Sequence, residues 1–358
     1  MTDKILCFLR RMIMILMVIC LIGSMIGGFQ AVAQLDPNNP PTDDLDYEEF
    51  QKKVAAMLPP QPDLLQFSTI YCFPFAPWPE GIGQAGASFE EAFRGYSLKV
   101  DQERILLLDR SGRTVFSYDG RTKKQKMVAT DYQKSSLQFD DFAMLRDNRL
   151  AIADNSRNEL LIFTGNRLEK RLGFDGDRIL FRHIDFVESD RLGMNLVIFD
   201  SGRNRTFVCG HRGNLAWETE GKVEPCFYGN SLIRLEKGDK TLQIQRLSDI
   251  TRTPAVIADY TCEPANIILD AWLAGTFAGH LAVVVYEGQG DEDHPDYARL
   301  LLIKDDKMTI HRFMPNLDFR LPLLTPYRLL FDRSGARLVT ARLSPQGIEI
   351  IGATVSLK

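Results

Sequence analysis

From Tyr96 onward the chain alternates short apolar runs with polar turns at a steady spacing. The clearest unit is residues 150–163, Leu-Ala-Ile-Ala-Asp-Asn-Ser-Arg-Asn-Glu-Leu-Leu-Ile-Phe: an apolar run, an Asp-led turn and a second apolar run. Relatives of it occupy 106–118 and 196–208, and their turn aspartates, Asp109, Asp154 and Asp200, lie 45 and 46 residues apart. A period of that size marks propeller blades or solenoid units. Each turn aspartate is expected to accept hydrogen bonds from the amides two or three residues on, which fixes the turn.

The pattern predicts four strands in each of three clear repeats. They fall at 97–100, 105–109, 114–118 and 124–129, then at 142–145, 150–153, 159–164 and 167–172, then at 183–187, 195–199, 205–209 and 214–218. Weaker repeats follow at 231–260, 266–313 and 327–355. The second strand of each repeat is apolar on consecutive residues, so both of its faces are covered, as when sheets stack around an axis. The fourth strand is polar and suits an outer rim. Six repeats of about 44 residues predict an all-β, six-bladed β-propeller of four-stranded blades. The last repeat supplies only three strands, and an open edge there is a liability. The unassigned apolar stretch 64–73 is expected to pair with 348–355 and complete that blade as its outer strand.

The N-terminus has a different pattern. Lys4, Arg10 and Arg11 precede a nearly unbroken apolar run over 12–26, then Gly27-Gly28 and a small-residue site Ala31-Val32-Ala33. This predicts a secretory signal peptide over 1–33, with a mature start at Gln34. A retained anchor over 12–32 is the alternative. Ile19, bulky and just before Cys20, argues against a lipoprotein site. Residues 34–63 read as a Pro-rich acidic tether carrying one short helix stopped by Pro59-Pro60. The propeller is assigned to 64–358. The chain is therefore expected to be exported, to the periplasm or the extracellular space, or held at a membrane by 12–32.

Asp154-Asn-Ser-Arg-Asn158 and Asp200-Ser-Gly-Arg-Asn204, with Asp109-Arg-Ser-Gly-Arg113 in part, resemble the turn of NHL-type repeats. The resemblance covers three blades well and the last three poorly. It implies a six-bladed propeller with a central channel and no single function, since that fold hosts binding modules and enzymes alike.

Composition is ordinary for a globular chain: 358 residues, 45% hydrophobic and 25% charged, with a net charge of −4 that becomes −6 without residues 1–33. A mildly acidic chain gives no reason to expect nucleic acid as a partner. Charge matters locally. Arg110, Arg113, Arg157, Arg203 and Arg205 flank the turns between second and third strands, which emerge on one face of a propeller. They are expected to form an arc for a protein or another anionic ligand, against the alternative of a solvated rim. The equivalent turn of the fifth repeat is acidic: Asp291, Glu292, Asp293 and Asp296, with Gly288 and Gly290, offer oxygen ligands for calcium, without EF-hand spacing. Export leaves Cys72, Cys209, Cys226 and Cys262, read either as buried thiols or as bridges, with Cys226–Cys262 the favoured pair. Of the histidines, His183 and His280 fall near inner strands. No nucleophile elbow, HExxH, phosphate loop or dinucleotide fingerprint occurs. The function expected is a binding or scaffold module of the cell envelope or extracellular space. The alternative is a lactonase-like, metal-dependent hydrolase or lyase using channel residues such as Asp185, Glu188, Asn266 and Asp270.

Overall fold

Consecutive apolar residues in the second strands are explained by what lies on each side of them. In the first repeat, Leu106 and Leu108 pack against Phe142, Leu150 and Ile152 of the next repeat. Their neighbours Ile105 and Leu107 pack the other way, against Leu330, Val339 and Ile350 of the last repeat. In the fifth, Leu281, Val283 and Val285 join one cluster and Ala282 and Val284 another. Each second strand is thus the filling between two neighbours, and alternation of side chains along a strand requires both faces to be apolar.

A computed structural model describes residues 65–356 except 77–79, 83–94, 102–103, 132–136, 146–147, 175–178, 180, 190–192, 211–214, 227–230, 248–253, 289–296, 306, 314–327 and 333–334. The chain falls into two units, Met1–Pro60 and Gln61–Lys358. The signal segment, the anchor alternative and the tether up to residue 63 lie outside the described residues.

Gln61–Lys358 is a six-bladed β-propeller. Its first strand, β1 (Ser68–Pro74), precedes blade 1, which holds β2 (Tyr96–Asp101), β3 (Arg104–Asp109), β4 (Thr114–Asp119) and β5 (Lys124–Thr130). Blade 2 holds β6 (Asp141–Met144), β7 (Arg149–Asp154), β8 (Glu159–Thr164) and β9 (Arg167–Gly173). Blade 3 holds β10 (Phe181–Ser189), β11 (Gly193–Asp200), β12 (Arg205–Gly210) and β13 (Leu215–Glu220). Blade 4 holds β14 (Val223–Cys226), β15 (Ser231–Lys237), β16 (Thr241–Leu247) and β17 (Pro254–Thr261). Blade 5 holds β18 (Ile267–Phe277), β19 (His280–Gly288), β20 (Tyr297–Lys304) and β21 (Lys307–Phe313). Blade 6 holds β22 (Arg328–Asp332), β23 (Gly335–Ser344) and β24 (Gly347–Val355).

Every blade is an antiparallel four-stranded sheet, and β1 is the fourth strand of blade 6, paired with β24 from Ser68↔Gly352 to Pro74↔Gly347. The closure expected from sequence is present. β1 docks closely: a Cβ on Gly347 would run into the Phe73 carbonyl, and one on Gly352 would meet Ile70. Tyr71 of β1 also stacks on Tyr118 of blade 1, with centroids 3.9 Å apart, and donates to Gln125 at 2.8 Å. The first strands β2, β6, β10, β14, β18 and β22 each touch the next around a closed ring, so they line the channel. Of the fourth strands, β9 and β17 are mostly exposed and β5 and β21 partly so, which makes them the outer rim.

One strand was not legible. Val223–Cys226, the innermost strand of blade 4, is only four residues long and contains a charge and Pro225. Proline is tolerated because the channel side of an innermost strand has no ladder partner.

Candidate functional site: the turn face and the channel

Because every blade runs inner to outer, the turns between second and third strands open on one face, here called the turn face. In blades 1 to 3 the aspartate ending the second strand is buried and builds its own turn. Asp109 accepts from the Gly112 amide at 2.8 Å and the Ser111 hydroxyl at 2.7 Å. Asp154 accepts from the amides of Ser156 and Arg157 at 3.0 and 3.2 Å. Asp200 accepts from the Gly202 amide at 3.0 Å. The residue four positions on, Arg113, Asn158 or Asn204, sits at φ 47, 58 and 51°. Asn is favoured in that left-handed conformation, which is why the repeat prefers it there.

The asparagines of the second turn have a further role that sequence reasoning missed. The Asn155 side chain accepts from the Phe181 amide at 2.8 Å and donates to its carbonyl at 3.3 Å. Asn158 donates to the Phe174 carbonyl at 3.0 Å and accepts from the Ile179 amide at 2.9 Å. Both tie the turn to the connection entering blade 3. The signal was in view as the Asn of the repeat, but its partners lie 16 to 26 residues on.

The five arginines share the turn face across blades 1 to 3, and several are drawn back onto the protein. Arg157 Nε lies 3.9 Å from Asp154 Oδ2, Arg203 Nη1 3.4 Å from Asp200 Oδ2, and Arg205 Nη1 3.4 Å from Glu218 Oε1. Arg110 and Arg113 are half-buried, whereas Arg157, Arg203 and Arg205 are exposed. Exposure of these arginines is therefore greatest at blades 2 and 3.

Blade 5 treats the equivalent position differently. Glu287, next to last in β19 and fully buried, accepts from the Tyr260 hydroxyl, from Arg299 Nε at 2.9 Å and from Asn266 Nδ2 at 3.2 Å. Arg299 and Arg312 then share Glu263 Oε1 at 2.6 and 2.8 Å. Burial and the hydrogen bond to Glu287 push the Tyr260 hydroxyl far above its ordinary range. Asn266 thus has a buried structural partner. The acidic positions Asp291, Glu292, Asp293 and Asp296 lie outside the described residues, and among the described residues no three His, Cys, Asp or Glu side chains form a metal-binding group.

The channel is crossed by two ion-paired constellations. In the first, Lys99 of β2 lies 3.6 Å from Asp141 of β6 and donates to the Ile184 carbonyl of β10 at 2.9 Å. Asp141 accepts from the Ile184 amide at 2.8 Å and from Ser97 at 2.7 Å. In the second, Glu224 of β14 accepts from the Leu273 amide of β18 at 3.0 Å, and Arg328 of β22 reaches both the Leu273 carbonyl and Glu224, the latter at 3.5 Å. Lys222 joins Glu224 at 2.9 Å. Lys99, Asp141 and Glu224 are all buried. None of the three was singled out from the sequence.

No family model matches the sequence, and no curated protein matches it. Among solved structures the chain is similar to a virginiamycin B lyase from Staphylococcus aureus, at 12% identity over 74% of this chain and 86% of that one, with a TM-score of 0.45. It is similar to an oligogalacturonate lyase in complex with manganese, at 12% identity over 73% and 76%, TM-score 0.45. It is similar also to the Cps50 (Swd1) β-propeller domain of Myceliophteria thermophila, at 8% identity over 73% and 97%, TM-score 0.46. Likeness this distant says nothing of activity.

The remaining sequence candidates scatter. Asp270, on the innermost strand of blade 5, has its carboxyl pushed up by the surrounding protein mass of the channel, opposed by the Ala271 amide and the charges of Lys222 and Lys237. His280 begins β19, at the hairpin opposite the turn face, with its ring bonded to the Ala278 carbonyl at 3.2 Å. The side chains of His183, Asp185 and Glu188 lie outside the described ones. Cys72, Cys209 and Cys262 are free thiols. The Cys262 thiol donates to the Asn266 carbonyl at 3.1 Å, and the side chain of its expected partner Cys226 is outside the described ones. Burial pushes the Cys209 thiol up to about 11, which makes it a poor nucleophile at neutral pH.

Proposed function

We propose that the protein is an exported binding or scaffold module that works through the turn face, on the side of blades 1 to 3. The observation that carries this reading is how the charges are used. Asp141 and Glu224 in the channel are buried against cations and backbone. Arg157, Arg203 and Arg205 remain exposed on the face. Guanidinium groups so placed suit a carboxylate-bearing protein or another anionic ligand. Export rests on the sequence of residues 1–33, and cleavage after Ala33 leaves the propeller on its Pro-rich tether.

Titrating poly-glutamate into the mature chain tests the face. Replacing Arg157, Arg203 and Arg205 together by Gln should weaken binding about tenfold or more and flatten its salt dependence; unchanged binding would refute the reading. N-terminal sequencing should find Gln34 first, whereas an intact Met1 in the membrane fraction would make the protein an anchored form.

A second reading, a channel hydrolase or lyase, is favoured by Asp270, a carboxyl on a channel-lining strand whose pKa is raised by desolvation although Lys222 and Lys237 pull it down. Metal analysis of the mature chain addresses it, together with calcium at the blade 5 loop. One equivalent of tightly held metal that survives deletion of 289–296 would favour the enzyme; metal lost with the loop would favour the calcium site.

A further inference from the structure

We propose that the ring is built as two three-blade units, blades 1–3 and blades 4–6, each tied across the channel by its own ion-pair clamp. An innermost strand has no ladder partner on its channel side, so its outward N–H and C=O groups need other partners. At Ile184 a carboxylate takes the amide and an ammonium the carbonyl. At Leu273 a carboxylate takes the amide and a guanidinium the carbonyl. In both places an acid and a cation imitate the two groups of a missing strand.

The blades that supply them give the arrangement its consequence. The first clamp takes its cation from blade 1, its acid from blade 2 and its backbone from blade 3. The second takes its acid from blade 4, its backbone from blade 5 and its cation from blade 6. In each case the acid belongs to the blade just before the backbone it binds; Lys99 reaches past blade 2 to its carbonyl, and Arg328 takes the carbonyl of the adjacent blade and reaches past it to the acid. Neither contact set forms unless three consecutive innermost strands are in register. Among the described contacts the two sets share no residue, so each secures its own half of the ring. The halves meet at two seams, between blades 3 and 4 and between blades 6 and 1. At the second seam β1 lies against blade 1 through Tyr71 and Tyr118.

Hydrogen exchange measured by mass spectrometry on the mature chain tests the division, because exchange reports opening segment by segment. Asp141→Asn should speed exchange about tenfold in β2, β6 and β10 while β14, β18 and β22 stay within about twofold of the parent. Glu224→Gln should do the reverse. If Asp141→Asn is too unstable to purify, Lys99→Met combined with Asp141→Leu removes both charges at similar size and serves for the same comparison. In the combined Asp141→Asn, Glu224→Gln protein the two effects on the unfolding constant should multiply, as for independent sites. Acceleration of all six innermost strands by either single change, or of none, would overturn the proposal.

Discussion

The turns of blade 2 and blade 5 occupy the same place in the fold and put a buried carboxylate there to opposite uses. Asp154 spends most of its hydrogen bonds on Ser156 and Arg157, within three residues of itself, and one on the Gln138 amide just ahead of its own blade. Glu287 spends its bonds on Tyr260, Asn266 and Arg299, on two blades and up to 27 residues away. One extra methylene lets the carboxylate reach past its own turn. A local role leaves a sequence signature, because the turn needs a particular residue at each step; a non-local role leaves none. In blade 5 the repeat fades because the position has changed partners, while the blade itself persists.

This contrast can be broken by mutation. The largest effect is expected from Glu287→Leu, which strands the Tyr260 and Asn266 donors and leaves the buried Arg299, among the described residues, with only the exposed Glu263 as an acid partner, and should cost about 3 kcal/mol in urea unfolding. A cost below about 1 kcal/mol would place blade 5 on the same footing as blade 2. Adding Arg299→Met to Glu287→Leu should recover much of that loss, giving a coupling of about 2 kcal/mol in a double-mutant cycle; strict additivity would mean the pair does not act as a unit. Asp154→Ala should cost less, about 1–3 kcal/mol, since it strands only neutral donors, those of its own turn and the Gln138 amide. Its exchange should rise in the β7–β8 hairpin, its attached connection and the segment around Gln138 alone. The smallest effect should be a gain. Arg113→Asn gives blade 1 the residue that blades 2 and 3 carry at the left-handed position, and should stabilise by about 0.5–1 kcal/mol in thermal unfolding.

The same distinction explains what could be read in advance. Six blades, the outer polar strands and completion of the last blade by an N-terminal strand were all legible, because each follows from period, apolar runs and an otherwise unfilled edge. The turn aspartates were legible for the same reason. The channel constellations were not, because Lys99, Asp141 and Ile184 are 42 to 85 positions apart and nothing local marks them. Val223–Cys226 was missed along with its acid Glu224, since four residues with a proline carry no strand pattern of their own. The pairing of Arg157, Arg203 and Arg205 with Asp154, Asp200 and Glu218 was not legible either, and it narrows what these side chains offer a ligand.

Pairing of β1 with β24 also sets an order in time. Ser68 must find Gly352 across nearly the whole propeller, and contacts this distant in sequence form slowly. During synthesis β1 is made first among the strands and stays without its partner until residues 347–355 appear. A chain interrupted before them keeps up to five blades and one bare sheet edge, the kind that pairs with other chains. If the protein crosses a membrane unfolded, ring closure belongs to the far side, after the last strand has passed. Completion of the fold then doubles as a report that residues 347–355 have arrived.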